Sequence, residues 1–286
     1  MAFTITMLSW STIEFKEKLE AKRELSNALK AIKWGTDYLM KAHNQPRVLY
    51  GQVGDVASDH ACWQRPEDMT TPRTTFHLDD KSPGSDLAAE TAAALAAASI
   101  AFRPVDDSYA TQLLHHAIDL FAFAVDKPGL YQDSFKASAH AYSSSGYDDE
   151  MVWAAAWLER ASGDHMYMDY ISRHGHGGLR QTFCWDDKYV GAQILVAKGG
   201  VWEEYKEQAE KFICACAQKG GGSNVKMTRG GLLWFLPWDN IQYVATATFS
   251  LSLYAKYLDT YHQANIKCQD ATLTSADLTA FVKSQV

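Results

Sequence analysis

The sequence predicts an all-α protein, and three observations support that prediction. Apolar residues recur at helical spacing in several long segments, residues 86–102 are almost entirely helix formers, and strand-like alternation is scarce. A chain of 286 residues with 47% hydrophobic residues can bury a substantial core, and no long polar tract divides it. We therefore expect a single domain over residues 1–286.

The first two predicted helices have different characters. In residues 24–43 an apolar stripe faces away from lysines, which indicates an amphipathic helix. The stripe consists of Leu25, Ala28, Leu29, Ile32 and Leu39. In residues 86–102, alanine fills positions 92–98 apart from Leu95, so a neighbouring helix can approach closely.

Six further helices are predicted along the rest of the chain. They cover about 108–125, 147–162, 186–198, 201–217, 240–260 and 275–286, separated by turns rich in Gly and Pro. The last segment has no Gly or Pro stop, and we expect it to be cut inside a helix. Many helices joined by alternately short and long loops predict a toroid of paired helices with the functional loops at one end.

Composition excludes several classes of function. A formal net charge of −7 without any Lys/Arg cluster argues against nucleic-acid binding. No segment approaches membrane-spanning length, and residues 1–15 lack the features of a secretory signal. Five cysteines form no zinc pattern and leave the compartment open. Fourteen Tyr, twelve Phe and nine Trp supply rings that could pack against sugars.

Two adjoining segments carry a specific resemblance. They read GDVASDHACWQRPEDMTTPR and SPGSDLAAETAAALAAASIAF, and they resemble the plant-type family 9 glycoside hydrolases, mostly endo-β-1,4-glucanases. The resemblance implies an incomplete (α/α)6 barrel of the six-hairpin glycosidase type, with about eight of twelve helices. An incomplete barrel exposes apolar helix faces, which predicts marginal solubility and self-association through the barrel edges.

The resemblance also indicates which catalytic groups this chain lacks. Inversion requires a base and an acid carboxylate roughly 6.5–9.5 Å apart. The family takes its base from an Asp-Ala-Gly-Asp motif and its acid from an Asn-Glu segment, and neither motif occurs here. The His-His-Arg-type motif that grips the substrate is also absent. We therefore expect no catalytic residue in the chain and little or no activity from it.

Other carboxylates are interpreted as local hydrogen-bond acceptors rather than a replacement pair. Glu67 and Asp68 are expected to bond to nearby backbone N–H groups, and Glu90 is expected to face an Arg or solvent. The remaining candidates are Asp86, Asp149 and Glu150.

Substrate-binding positions fit the family better. His60 and Trp63 match its Asp-His-x-x-Trp loop, which lines the glucose-binding cleft, and Trp185 and Trp238 match segments that place stacking tryptophans. The alternative for each residue is packing within the fold or local hydrogen bonding. Tyr142 lies in a segment that lacks two or three of the family's aromatic residues, and a local shift of its ring could compensate.

No cofactor is expected to be required, but one metal site is a hypothesis. Ser145, Gly146, Asp149 and Glu150 could offer carbonyls and carboxylates to Ca²⁺, as in some bacterial relatives. The alternative is that the two acids stabilise the start of the following helix. The histidines show no metal-binding convergence and are interpreted as surface or loop residues; they are His115, His116, His140, His174 and His176.

The resemblance thus implies an endoglucanase-family protein that hydrolyses internal β-1,4-glucosidic bonds of cellulose with inversion. Its partner would be a β-1,4-glucan, and its location extracellular or in the cell wall. Two alternatives remain: a non-catalytic β-glucan-binding remnant, and a helical interaction protein.

Overall fold

The computed structural model describes residues 1–62, 64–136, 138–198, 202–261 and 265–286. They contain thirteen α-helices and three two-stranded antiparallel sheets, so the all-α prediction is confirmed. All eight predicted helices are present. The chain forms two compact units, Met1–Arg173 and His174–Val286, which are described separately. The prediction of a single domain stays a prediction.

Unit 1 contains nine helices and one hairpin. Its α-helices are α1 (Ala2–Glu14), α2 (Lys16–Ala21), α3 (Leu25–Ala42), α4 (Val56–Ala61), α5 (Ser85–Phe102), α6 (Asp107–Asp126), α7 (Tyr131–Ser134), α8 (Asp148–Ser162) and α9 (Met166–His174). Strands β1 (Leu49–Val53) and β2 (Thr75–Leu78) pair antiparallel, and single 3-10 turns cover Pro66–Asp68 and Ser138–His140.

The core of unit 1 is built around α5. Every residue from 92 to 98 is fully buried, and α1, α6 and α8 pack directly against the helix. Because most of these side chains are single methyl groups, the neighbouring backbones can approach closely, as the sequence predicts. Helix α5 is long and apolar enough to cross a membrane, but 83% of it is buried inside the structure, which is typical of a core helix.

Helix α1 was not predicted from the sequence. Four of its seven buried residues are polar, so the hydrophobic contrast that marks an amphipathic helix is weak. It is held by a cluster of three buried indoles, with ring centroids 5.5–5.6 Å apart, formed by Trp10, Trp153 and Trp157. The buried Glu14 at its end also pairs with Arg160 at 3.2 Å.

Unit 2 has four further helices. These are α10 (Tyr189–Ala197), α11 (Glu203–Cys216), α12 (Asn240–Thr260) and α13 (Ser275–Ser284). Strand β3 (Lys226–Met227) pairs with β4 (Leu233–Trp234), β5 (Ile266–Lys267) pairs with β6 (Thr272–Leu273), and a 3-10 turn covers Gly221–Ser223.

Two links tie the outer elements of unit 2 to its helices. A disulfide joins Cys214 in α11 to Cys268 beside the β5–β6 hairpin. At the end of α13, the buried Gln285 side chain accepts from the Leu233 N–H (2.8 Å) and donates to the Gly231 carbonyl (2.9 Å). Sequence spacing did not reveal the disulfide, because its two cysteines are separated by 54 positions.

The interpretation of His116 as a surface residue is wrong. Its Nδ1 lies 2.8 Å from Nδ1 of the buried His43, and the two rings meet edge to face. Burial is the largest cause of the lowered pKa of each imidazole. The Pro46 carbonyl acts to raise the pKa of His43, and the Asp119 carboxylate acts to raise the pKa of both rings. Two protonated rings could not share this hydrogen bond, since neither would retain an acceptor nitrogen.

We predict that breaking the disulfide destabilises unit 2. Closing a loop of this length in the unfolded chain contributes about 2–4 kcal/mol, so Cys268→Ser should unfold at lower urea concentration. The exposed free Cys62 provides the control, Cys62→Ser. Wild-type protein in dithiothreitol should match the variant, whereas equal urea midpoints for Cys268→Ser and untreated wild type would contradict the prediction.

We also predict that acid destabilises unit 1 through the histidine pair. A lowered pKa means that the unfolded chain binds protons more readily, so stability is lost as pH falls through the ordinary histidine value of about 6.5. In His43→Asn/His116→Asn, melting temperature should fall less between pH 7 and pH 5 than in wild type. His165→Asn, at an exposed position of the same unit, should keep the wild-type slope; equal slopes in all three proteins would rule out this role for the pair.

Candidate active site

In unit 1 the candidate sugar-binding loop begins directly after strand β1 and connects it to β2. Gly54 has a φ of +89°, a conformation that favours glycine, and its N–H donates to the Thr74 carbonyl at 2.7 Å. Asp55 then caps α4, because its carboxylate accepts from the Ser58 N–H at 3.0 Å. This cap places His60 in the last turn of a helix only six residues long.

The exposed His60 ring is oriented by its own helix. Its Nδ1 lies 3.0 Å from the Val56 carbonyl. A carbonyl can only accept, so Nδ1 carries the proton and Nε2 of the neutral ring is left as an acceptor. An acceptor nitrogen on an exposed imidazole suits a sugar hydroxyl.

The structure brings Tyr142 next to His60. Their ring centroids are 6.4 Å apart at an interplanar angle of 69°, and the tyrosine is 54% exposed. The two residues are therefore one exposed aromatic patch, assembled from loops 82 positions apart in the chain. Trp63, the third residue predicted for this region, lies outside the described residues.

The carboxylates considered as substitutes occupy varied environments. Glu90 is buried within α5, which rules out the expectation that it faces solvent, while the alternative of an Arg partner stays a prediction. The exposed Asp68 pairs with Arg65. Asp86 is buried and accepts from the backbone N–H groups of Leu87 and Tyr131. Asp86 thus accepts from backbone N–H groups, whereas Asp68, for which such a role was predicted, pairs with an arginine side chain instead.

The calcium hypothesis stays a prediction. Ser145 and Gly146 precede α8, while Asp149 and Glu150 are buried in its first turn, where the helix dipole favours negative charge. The Gly146 carbonyl already accepts from the Ser144 hydroxyl at 2.7 Å. Within the described ranges, no group of three or more His, Cys, Asp or Glu side chains could hold a metal.

In unit 2, Trp185 occupies a tight turn before α10. The buried Lys188 ammonium donates to its carbonyl, and Asp187 pairs with Arg180 at 2.7 Å. These contacts fix the turn and leave the Trp185 side chain partly exposed. A partly exposed indole is compatible with both predicted alternatives, cleft and core.

Trp238 stands at the surface of unit 2. It is 83% exposed, so the alternative of core packing is wrong for this residue. The strand before it is held by Asn240, whose side chain accepts from the Phe235 N–H and donates to the Leu233 carbonyl. A rigid backbone therefore presents a nearly free indole face.

Sequence reasoning did not single out a cleft in unit 2. It has a volume of about 330 Å³ and combines aromatic rings, amide and hydroxyl groups, and two cations. Its lining includes Arg180, Phe212, Asn224, Lys226, Trp234 and Phe235. Trp234 lies in the same segment as Trp238, and this tryptophan-rich segment was the one feature of the sequence that could have indicated the cleft.

Comparison with known proteins places this geometry in a family. The family model "Glycosyl hydrolase family 9" matches residues 1–286. Endoglucanase 13 of Arabidopsis thaliana is 58% identical over 295 residues, covering 100% of this chain and 60% of the relative. Endoglucanase 14 of the same plant is 56% identical with the same coverage.

Solved structures agree with the sequence comparison. An endoglucanase from the termite Nasutitermes takasagoensis superposes with a TM-score of 0.86 at 38% identity, covering 100% of this chain and 62% of that chain. The Cel9M cellulase of C. cellulolyticum in complex with cellobiose gives 0.85 at 28% identity, covering 99% and 62%.

The fold is that of a glycoside hydrolase. The chain belongs to glycoside hydrolase family 9, and its similarity to family endoglucanases confirms the predicted (α/α)6 fold. The chain spans about 60% of the length of these curated relatives, in agreement with an incomplete barrel.

We predict that the Asp55 cap controls the order of the His60 loop. Asp55→Ala removes the acceptor for the Ser58 N–H and should cost about 1 kcal/mol locally, which loosens α4. Hydrogen–deuterium exchange in residues 56–61 should accelerate in this variant but not in Asp55→Asn, which keeps a capping oxygen. Unchanged exchange in Asp55→Ala would show that the cap is dispensable.

Proposed function

We propose that this chain forms part of the substrate cleft of an endo-β-1,4-glucanase that hydrolyses internal bonds of cellulose with inversion. The observation that carries the proposal is Trp238: a residue matching a family stacking position is 83% exposed on a fixed backbone. Family membership over residues 1–286 supports the assignment of the glucan as ligand.

The exposed rings suit a β-1,4-glucan chemically. A pyranose presents apolar C–H faces that pack flat on an aromatic ring, while its equatorial hydroxyls need hydrogen-bond partners at the edge. Trp238 supplies such a ring in unit 2, and Tyr142 with the Nε2 acceptor of His60 supplies both kinds of contact in unit 1. The cellobiose bound to the related Cel9M cellulase is a ligand of this class.

Binding and cleavage are separable in this chain. Inverting hydrolysis needs one carboxylate to activate water and another to protonate the leaving oxygen. The motifs that carry both groups in the family do not occur among these 286 residues. We therefore propose that the chain alone binds glucan without cleaving it, and that hydrolysis belongs to a protein that also contains those motifs.

An extracellular or cell-wall location is part of the proposal. The Cys214–Cys268 disulfide supports it, because such bonds persist in oxidising compartments and are rare in the cytosol. Plant relatives of the endoglucanase class are consistent with a polysaccharide outside the cell as the ligand.

We predict that Trp238→Ala weakens binding of cellotetraose about fivefold or more, because one stacked ring contributes about 1 kcal/mol. Isothermal titration calorimetry measures this change. Trp34→Ala is the matched control: Trp34 is 74% exposed but lies on α3, far in sequence from every family motif. Equal losses in both variants, or no binding by wild type, would refute the glucan-binding role.

A reducing-end assay on amorphous cellulose tests cleavage. We expect no sugar release by the chain alone, although it should sediment with the cellulose. A fusion that adds the remaining segments of Arabidopsis Endoglucanase 13 should release reducing ends. Sustained release by the purified chain alone would overturn the proposed separation of binding from cleavage.

A further inference from the structure

The exposed Tyr142 ring lies on a loop, so its position depends on which contacts of the fold hold that loop in place. This segment lacks two or three of the family's aromatic residues, yet one of its two tyrosines, Tyr142, lies beside His60. An exposed ring on a loop loses conformational entropy when a ligand fixes it, and that loss weakens binding. A useful platform therefore needs contacts that hold the loop before the ligand arrives.

We propose that Tyr131 and Gln132 are positioning residues that fix the Tyr142 loop, so that Tyr142 and His60 together receive one pyranose ring. This inference rests on the proposed glucan-binding function. It adds two residues that do not contact the sugar themselves but hold the backbone of the loop that carries Tyr142.

Tyr131 and the residues before it are attached to the buried first turn of α5. The carboxylate of Asp86, at the first turn of that helix, accepts the Tyr131 N–H at 2.9 Å. The neighbouring Ser85 hydroxyl donates to the Ala124 carbonyl at 2.9 Å and accepts from the Gly129 N–H at 3.2 Å. The short helix α7, which begins at Tyr131, is thereby fixed to the core of unit 1.

From α7, two consecutive side chains reach the loop. The Tyr131 hydroxyl donates to the Tyr142 carbonyl, and the Gln132 side-chain oxygen accepts the Ser144 N–H at 2.6 Å. The two bonds hold the backbone on both sides of residue 143. A third bond, from the Tyr142 N–H to the Ser138 carbonyl at 2.9 Å, closes the preceding turn. The Tyr142 backbone is thus held at both its N–H and its carbonyl.

The variants remove single hydrogen-bonding groups and little volume. Tyr131→Phe removes the donor, Gln132→Met removes the acceptor, and Gln132→Glu keeps an acceptor oxygen. Tyr38→Phe, on the exposed part of α3, is the control for loss of a tyrosine hydroxyl. Melting temperature and cellotetraose affinity are measured for each protein.

We expect Tyr131→Phe and Gln132→Met each to weaken cellotetraose binding about threefold to tenfold, because each frees the loop that the ligand must then order. Gln132→Glu and Tyr38→Phe should bind like wild type. The decisive measurement is a double-mutant cycle: in a Tyr142→Ala background, Tyr131→Phe should cause no further loss, since no ring remains to be positioned.

The outcomes separate this inference from the proposed function. If wild type binds no cellotetraose, both fail. If wild type binds and Tyr142→Ala weakens binding, but Tyr131→Phe and Gln132→Met bind like wild type, only the positioning role fails. It fails equally if Tyr131→Phe causes the same loss with and without Tyr142, because the hydroxyl would then act on general stability.

Discussion

The close packing of helices around the alanines of α5 is the constraint on which unit 1 depends. Residues 92–98 are fully buried, and helices α1, α6 and α8 pack closely against α5. Such packing makes the helix rigid along its length, including its first turn. Because Ser85 and Asp86 in that turn bind the connection between α6 and α7, the rigidity of the core is transmitted to the loop that carries Tyr142.

Helix prediction succeeded where packing and sequence pattern agree. The segment predicted at 240–260 forms α12 (Asn240–Thr260), and that predicted at 86–102 forms α5 (Ser85–Phe102). Both segments are long and contain no proline. Helix α1 was missed because four of its seven buried residues are polar, which obscures the hydrophobic stripe. Helix α9 (Met166–His174) is short and lies between Gly-containing loops, where periodicity gives little signal.

The site could be predicted only as separate residues. The motif around His60 predicted a binding loop, and the tryptophan-rich segment predicted a stacking role for Trp238; both stay predictions. The contact between His60 and Tyr142 could not be predicted from the sequence, because it depends on how the fold of unit 1 positions two segments that are distant in the chain. The disulfide and the His43–His116 contact were missed for the same reason, since each joins residues separated by 54 or 73 positions.

The tryptophans of this chain fall into buried and exposed groups, and folding and the proposed glucan binding use different groups. Trp10, Trp153 and Trp157 are fully buried and contribute their apolar area to the stability of unit 1. Trp238, at 83% exposure, contributes little of that kind, so its indole is available to a ligand without cost to the fold. Stacking requires one ring per sugar, whereas inverting cleavage requires two carboxylates at a fixed separation. The exposure of a ring and the separation of two carboxylates are therefore independent structural requirements, and the proposed binding role depends only on the first.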